Sequence, residues 1–79
     1  TQEGGSVMDV ISGIRVRING EDREIQSGLT VSGLLESLDL RPSLVVVELN
    51  REILDRASYD ETSVVEGDIL ELVHFVGGG

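Results

Sequence analysis

Residues 14–26, IRVRINGEDREIQ, carry the pattern that decides the fold. The stretch opens with aliphatic side chains that alternate with arginines, which is typical of a strand with one buried face: Ile14, Val16 and Ile18. Asn19 and Gly20 follow, and this pair favours a two-residue hairpin turn because both residues tolerate positive φ. The letters REIQ then predict a returning strand with Ile25 on the buried face.

One amphipathic helix is predicted after this hairpin. Apolar residues recur at helical spacing and form a single stripe, made of Val31, Leu34, Leu35 and Leu38. Thr30 precedes the stripe and can cap the first turn with its hydroxyl. Gly33 costs a helix about 1 kcal/mol relative to alanine, so we expect its backbone to pack closely against a sheet.

The second half of the chain predicts three more strands. Residues 43–50, SLVVVELN, are β-branched and aliphatic, with Val46 and Glu48 on the face opposite to Val45 and Val47. A short strand is expected at residues 52–54, and an irregular stretch with one helical turn near Tyr59 follows. The turn EGD at residues 66–68 leads into a last strand over residues 69–76.

The element order β-β-α-β-β-β predicts an α+β domain in which one main helix covers one face of a mixed sheet of four to five strands. The first and last strands should lie side by side in the middle, which is the ubiquitin-like β-grasp arrangement. We expect the β-grasp domain to span residues 14–76, between a flexible N-terminal segment (1–13) and a flexible glycine tail (77–79). Met8 is a candidate natural start, with the residues before it added for expression.

Alternation along the last strand assigns its two faces. Glu71 does not fit a thin apolar core, so its face should be solvent-exposed, and an ion pair with Arg15 or Arg17 of the first strand is expected there. Apolar side chains then share this wet face beside the tail, and such a group indicates a docking patch. The predicted patch consists of Val46, Val73, Phe75 and Val76.

Composition excludes several classes of function. The net charge of −9 argues against a nucleic-acid partner, and the absence of cysteine excludes a disulfide scaffold and a thiol nucleophile. No segment approaches the length of a membrane span, and we expect a cytoplasmic protein. One histidine, His74, and scattered carboxylates in a domain of 79 residues predict no catalytic site, metal or bound cofactor of its own.

The chain ends in Gly77, Gly78 and Gly79. Glycine has no Cβ and adopts almost any φ, so such a tail can thread a narrow channel in another protein. A carboxylate is a poor electrophile until it is activated, for example as a mixed anhydride with AMP. The tail and the docking patch therefore predict one device, in which the patch binds a partner and the tail reaches its active site.

The hairpin at Asn19 and Gly20, the helix after GLTV, the strand ending in ELN, the VxxGD pattern and the terminal HFVGGG resemble the ThiS family of β-grasp sulfur carriers. The resemblance implies that a ThiF-like, E1-type enzyme adenylates the Gly79 carboxylate, using its own ATP and magnesium. A cysteine persulfide on a partner would then supply sulfur to form a thiocarboxylate. A ThiG-like thiazole synthase would consume that sulfur in thiamine biosynthesis.

Three alternatives remain open from the sequence. A MoaD-like small subunit of molybdopterin synthase, or another sulfur carrier, would share the same activation chemistry. A β-grasp interaction module would use the docking patch but have no reactive terminus. A ubiquitin-type modifier would attach to lysines, although all six basic residues of this chain are arginines, so chains could not form through its own side chains.

Overall fold

The computed structural model describes residues 13–75. Within this range it contains five strands, one α-helix (α1, Val31–Ser37) and two 3₁₀ turns (Pro42–Leu44 and Arg56–Ser58). The strands are β1 (Gly13–Ile18), β2 (Glu21–Gln26), β3 (Val45–Leu49), β4 (Glu52–Ile53) and β5 (Ile69–His74). They form one mixed sheet in the order β2-β1-β5-β3-β4, with β1 and β5 parallel and the other neighbours antiparallel. The predicted β-grasp arrangement, with the first and last strands adjacent, is confirmed.

The first hairpin closes at the predicted turn. Asn19 and Gly20 adopt φ values of 52° and 85°, and Ile18 pairs with Glu21 across the turn. The second strand is longer than the sequence predicted, because it begins at Glu21. The side chain of Asn19 has a further contact, since its Oδ1 accepts a hydrogen bond of 2.7 Å from the Leu72 amide of β5. The turn therefore also helps to hold the central strand.

Helix α1 begins and ends at residues that explain its length. The Thr30 hydroxyl accepts a hydrogen bond of 3.1 Å from the Gly33 amide, as expected for an N-cap. At the other end Asp39 has a φ of 63°, a left-handed conformation that ends the helix before Pro42 is reached. The Leu40 amide then bonds the Leu35 carbonyl at 2.9 Å, which ties the chain back to the last turn.

The core lies between α1 and one face of the sheet. Its buried residues come from every layer of the domain: Val16, Ile18, Val31, Leu34, Leu35, Val45, Val47, Tyr59, Val64 and Leu70. Alternation along the strands is as predicted, because Val45 and Val47 are fully buried whereas Val46 between them is only partly buried. The opposite face of the sheet is not covered by any element among residues 13–75 that the structure assigns.

Two strands differ from their predicted limits. The run SLVVVELN starts with a 3₁₀ turn, because Pro42 fixes a φ that suits the first position of such a turn, and β3 begins only at Val45. β5 ends at His74, not at residue 76. Phe75 nevertheless continues the pairing, since its amide donates a hydrogen bond of 2.8 Å to the Leu44 carbonyl.

The expectation that Gly33 packs against the sheet is wrong. A Cβ at this position would lie 3.4 Å from Leu29 Cδ2 and 3.5 Å from Thr30 Oγ1, which are ordinary van der Waals contacts within the first helical turn. Within residues 13–75 no other backbone approaches Gly33 closely, so the glycine lowers the stability of the helix without a packing contact that explains it.

We therefore expect Gly33→Ala to stabilise the protein by about 0.5–1 kcal/mol, because alanine lowers the entropy of the unfolded chain and fits the helical conformation. Urea unfolding followed by circular dichroism measures the change. Gly28→Ala is the control: that position is also open, but its φ of 89° disfavours alanine, so this variant should be less stable than the parent. If both variants were less stable than the parent, the conclusion that Gly33 weakens the helix would be wrong.

Candidate docking face and C-terminal tail

The strand that leads to the glycine tail is the central strand of the sheet, and its start is fixed by a polar network. Asp68 is 8% exposed, and its Oδ2 accepts a hydrogen bond of 2.9 Å from the Val65 amide. Its Oδ1 accepts one of 3.1 Å from Asn50 Nδ2, while Asn50 Oδ1 accepts one of 2.9 Å from the Ile69 amide. The EGD turn is thereby tied to the loop after β3, and β5 leaves it in a defined direction.

The tail itself lies outside the described residues. Gly77, Gly78, Gly79 and Val76 belong to this part of the chain, so their predicted roles stay predictions. The structure describes the chain up to Phe75, one residue before Val76, where the hydrogen bond to Leu44 holds the backbone beside the start of β3. The backbone at Phe75 is therefore held at one end of the sheet.

Three of the four predicted patch residues come together on the uncovered face of the sheet. Val46 and Val73 are direct cross-strand neighbours in β3 and β5, and Phe75 follows Val73 after the two-residue period of a strand. Val73 and Phe75 are 53% and 56% exposed, although both are large apolar residues. We call this group, Val46, Val73 and Phe75, the docking patch.

Two further apolar residues on the same face were missed by the sequence reasoning. Ile53 is 67% exposed and pairs with Glu48 across β3 and β4, and Ile69 is 44% exposed at the start of β5. The alternation of β5 already placed Ile69 on the face of Val73. Ile53 could have been found by treating residues 48–53 as a tight hairpin, in which cross-strand partners share a face.

The expected ion pair between Glu71 and an arginine of β1 is absent. Within residues 13–75 the structure contains one ion pair, in which Arg17 Nε lies 3.0 Å from Asp22 Oδ1 of β2. The register explains the difference, because β1 and β5 are parallel and Arg17 lies beside Ile69, two residues before Glu71. The cross-strand partner of Glu71 is instead Glu48.

In the described part of the chain, His74 does not join a group of side chains that could hold a metal ion. His74 is exposed at the end of β5 and lies on the opposite face to the docking patch, beside a shallow groove that Leu40 and Arg23 also line. Among residues 13–75, no three histidine, aspartate or glutamate side chains are placed to hold a metal ion. In the same range, no helix is long and apolar enough to cross a membrane.

Sequence comparisons relate this chain to known proteins. The sequence profile of the ThiS family matches residues 16–79. The sulfur carrier protein ThiS of Bacillus subtilis is 38% identical over 65 residues, which cover 81% of this chain and 98% of that protein. A thiazole synthase of Paramagnetospirillum magneticum is 42% identical over 66 residues, but this chain spans only 20% of its length.

A solved structure shows the same fold. The crystal structure of the thiamine biosynthesis protein ThiS from Geobacter metallireducens superposes with a TM-score of 0.69 and is 37% identical, over 84% of this chain and all of that one. These three comparisons, by family profile, by sequence and by fold, indicate the same family. The chain therefore belongs to the ThiS family of sulfur carrier proteins.

Proposed function

We propose that this protein carries sulfur for thiamine biosynthesis as a thiocarboxylate on Gly79. The terminal carboxylate attacks the α-phosphorus of ATP in the site of a ThiF-like adenylating enzyme, and pyrophosphate leaves. A persulfide sulfur on a partner then attacks the acyl carbon and displaces AMP, and a thiol reduces the acyl disulfide to the thiocarboxylate. The protein is a cosubstrate in this sequence, and ATP and magnesium belong to the enzyme.

The observation that carries this proposal is the exposed docking patch at the root of the glycine tail. A patch of large apolar side chains on an otherwise uncovered sheet face indicates a surface that binds another protein. Because Phe75 is a member of the patch and stands two residues before Gly77 in the sequence, docking at the patch holds the tail close to the partner. A domain without a reactive terminus would not need its patch at this position.

The energies of docking and threading are of comparable size. Ordering three glycine residues in a channel costs about 1–2 kcal/mol each in backbone entropy. Burial of about 200 Å² of apolar surface contributes about 5 kcal/mol at about 25 cal/mol per Å². Burial of the patch residues can therefore offset the backbone entropy that is lost when the tail is ordered. A short glycine segment without such a patch has no comparable gain.

A thiazole synthase is the proposed recipient of the sulfur. Two curated thiazole synthases each contain a segment similar to this chain, over 20% of their length. A segment of this kind in the same polypeptide as the synthase supports a direct interaction between carrier and synthase in the separate proteins. The cytoplasmic location expected from the sequence stays a prediction.

The proposal is tested by intact-mass spectrometry. The protein is incubated with a ThiF-type adenylating enzyme, ATP, magnesium and sulfide, and then transferred to a reaction with a ThiG-type thiazole synthase. We expect the mass to rise by the difference between sulfur and oxygen in the first step and to return to its starting value in the second. A mass that never changes would remove the carrier function, and one that rises but is not lowered by the synthase would remove only the thiazole step.

A substitution in the docking patch tests whether this surface binds the adenylating enzyme. Val73→Ser is expected to raise the KM of adenylation for the carrier about tenfold with little change in kcat, because burying a valine contributes about 1.5 kcal/mol to binding. Val65→Ser is a matched control, since Val65 is 55% exposed, close to the 53% of Val73, but lies in the loop before β5. Equal KM values for the two variants would exclude the patch as the docking surface.

A further inference from the structure

Two glutamate residues are cross-strand neighbours in the middle of the uncovered sheet face. Glu48 of β3 and Glu71 of β5 are direct cross-strand partners, and such side chains have Cβ atoms about 5 Å apart. Like charges in this position destabilise a sheet. Among residues 13–75 no arginine forms an ion pair with either carboxylate, because the one ion pair in that range joins Arg17 to Asp22. The repulsion is therefore not relieved by the described part of the fold.

The glutamate pair is surrounded by the apolar residues of the same face. Along β5 it lies between Ile69 and Val73, and across the sheet Ile53 pairs with Glu48. A protein that covers the docking patch must also cover at least part of this pair, because the two cross-strand pairs are only two residues apart on both strands. Removing water from two adjacent carboxylates is strongly unfavourable unless the partner supplies a positive charge.

We propose that the enzyme that docks on this face places one arginine side chain between Glu48 and Glu71. A guanidinium group has five N–H donors in a planar arrangement, so it can bond both carboxylates at once, and it loses less hydration than an ammonium group. The partner surface is thus apolar with one central arginine, complementary to the part of the face formed by β5, β3 and β4, where apolar residues flank the acidic pair. This inference rests on the proposed carrier function and specifies the partner that the docking patch accepts.

The test is the double variant Glu48→Gln/Glu71→Gln in steady-state adenylation with a ThiF-type enzyme. We expect its KM to rise about thirtyfold or more, in line with the roughly 2 kcal/mol or more lost when a buried charge pair is broken, while kcat stays within about twofold. Added sodium chloride should raise the KM of the parent protein more than that of the variant, because salt screens the charge interaction. The urea midpoint of the variant should equal or exceed that of the parent, since the like-charge repulsion is gone.

Glu21→Gln/Glu52→Gln is the matched control. It also removes two negative charges, but Glu21 pairs with the buried Ile18 and Glu52 pairs with Leu49, so both lie on the helix side of the sheet. If the Glu48→Gln/Glu71→Gln variant has the KM and salt dependence of this control, the arginine contact is overturned and the carrier function stays intact. A parent protein that is never adenylated would overturn the carrier function and this inference together.

Discussion

Adding one alanine after Gly79 is expected to abolish thiocarboxylate formation without changing the stability of the fold. The reacting group in the proposed mechanism is the terminal carboxylate, and an extra residue moves that carboxylate one residue beyond the position in which the enzyme holds it against ATP. It also places a Cβ where the tail requires glycine. Intact-mass spectrometry after incubation with the ThiF-type enzyme measures the result, and thermal unfolding reports on the fold.

The control is an alanine added before Thr1, which changes the mass equally and leaves Gly79 as the last residue. This variant should be charged with sulfur at the rate of the parent protein. The variant Gly79→Ala separates two reasons for the loss, because it keeps the terminus in place and adds only a methyl group. If the extended protein is charged as fast as the parent, the terminus is not the site of sulfur attachment, and the β-grasp interaction module becomes the better description.

The fold and part of the docking face could be predicted because both depend on short-range patterns. Alternation with period two placed Val46 and Val73 on the exposed face, and the structure confirms that they are cross-strand neighbours. The Asn19-Gly20 turn and the Thr30 cap could also be predicted from the sequence, because each is determined by a few adjacent residues. The family resemblance rested on the same segments and is confirmed by the family match.

The charge pairings that were not predicted depend on the register between strands that are far apart in sequence. The face of Glu71 was correctly predicted, but the choice of its neighbour required the offset between β1 and β5, which no local pattern contains. The same holds for the pairing of Glu71 with Glu48, which requires the register of β5 against β3. The sequence therefore predicted the composition of the face and not which charges meet on it.

Replacing Tyr59 with phenylalanine is expected to lower the free energy of unfolding by about 2 kcal/mol. Tyr59 is 2% exposed, and its hydroxyl donates a hydrogen bond of 2.8 Å to the Val45 carbonyl. The same hydroxyl accepts one of 3.1 Å from the Val47 amide. Among residues 13–75 the outer edge of β3 has no strand partner beside Val45, because β4 pairs with Glu48 and Leu49 and its continuation at Leu54 bonds only the Val47 carbonyl, at 2.9 Å. Tyr59 takes the place of that partner.

The substitution removes one oxygen atom and keeps the aromatic ring, so its effect reports on the hydroxyl group. The Val47 amide loses its partner in a buried position, and one unsatisfied buried group costs about 1–3 kcal/mol. For a domain of this size, 1 kcal/mol shifts Tm by about 4–8 °C, so we expect a decrease of about 10 °C in a thermal scan. A shift of less than about 2 °C would show that the edge of β3 does not depend on this contact.

Arg56 makes a double-mutant cycle possible at the same carbonyl. Its Nη2 donates a hydrogen bond of 3.3 Å to the Val45 oxygen, and its Nε donates one of 3.3 Å to the Pro42 oxygen. Arg56→Met alone should cost less than about 1 kcal/mol, because the Tyr59 hydroxyl still satisfies the Val45 carbonyl. In the double variant with Tyr59→Phe that carbonyl has neither donor. The loss should therefore exceed the sum of the single losses by about 0.5 kcal/mol or more, whereas strict additivity would mean that the two side chains do not share the Val45 carbonyl in solution.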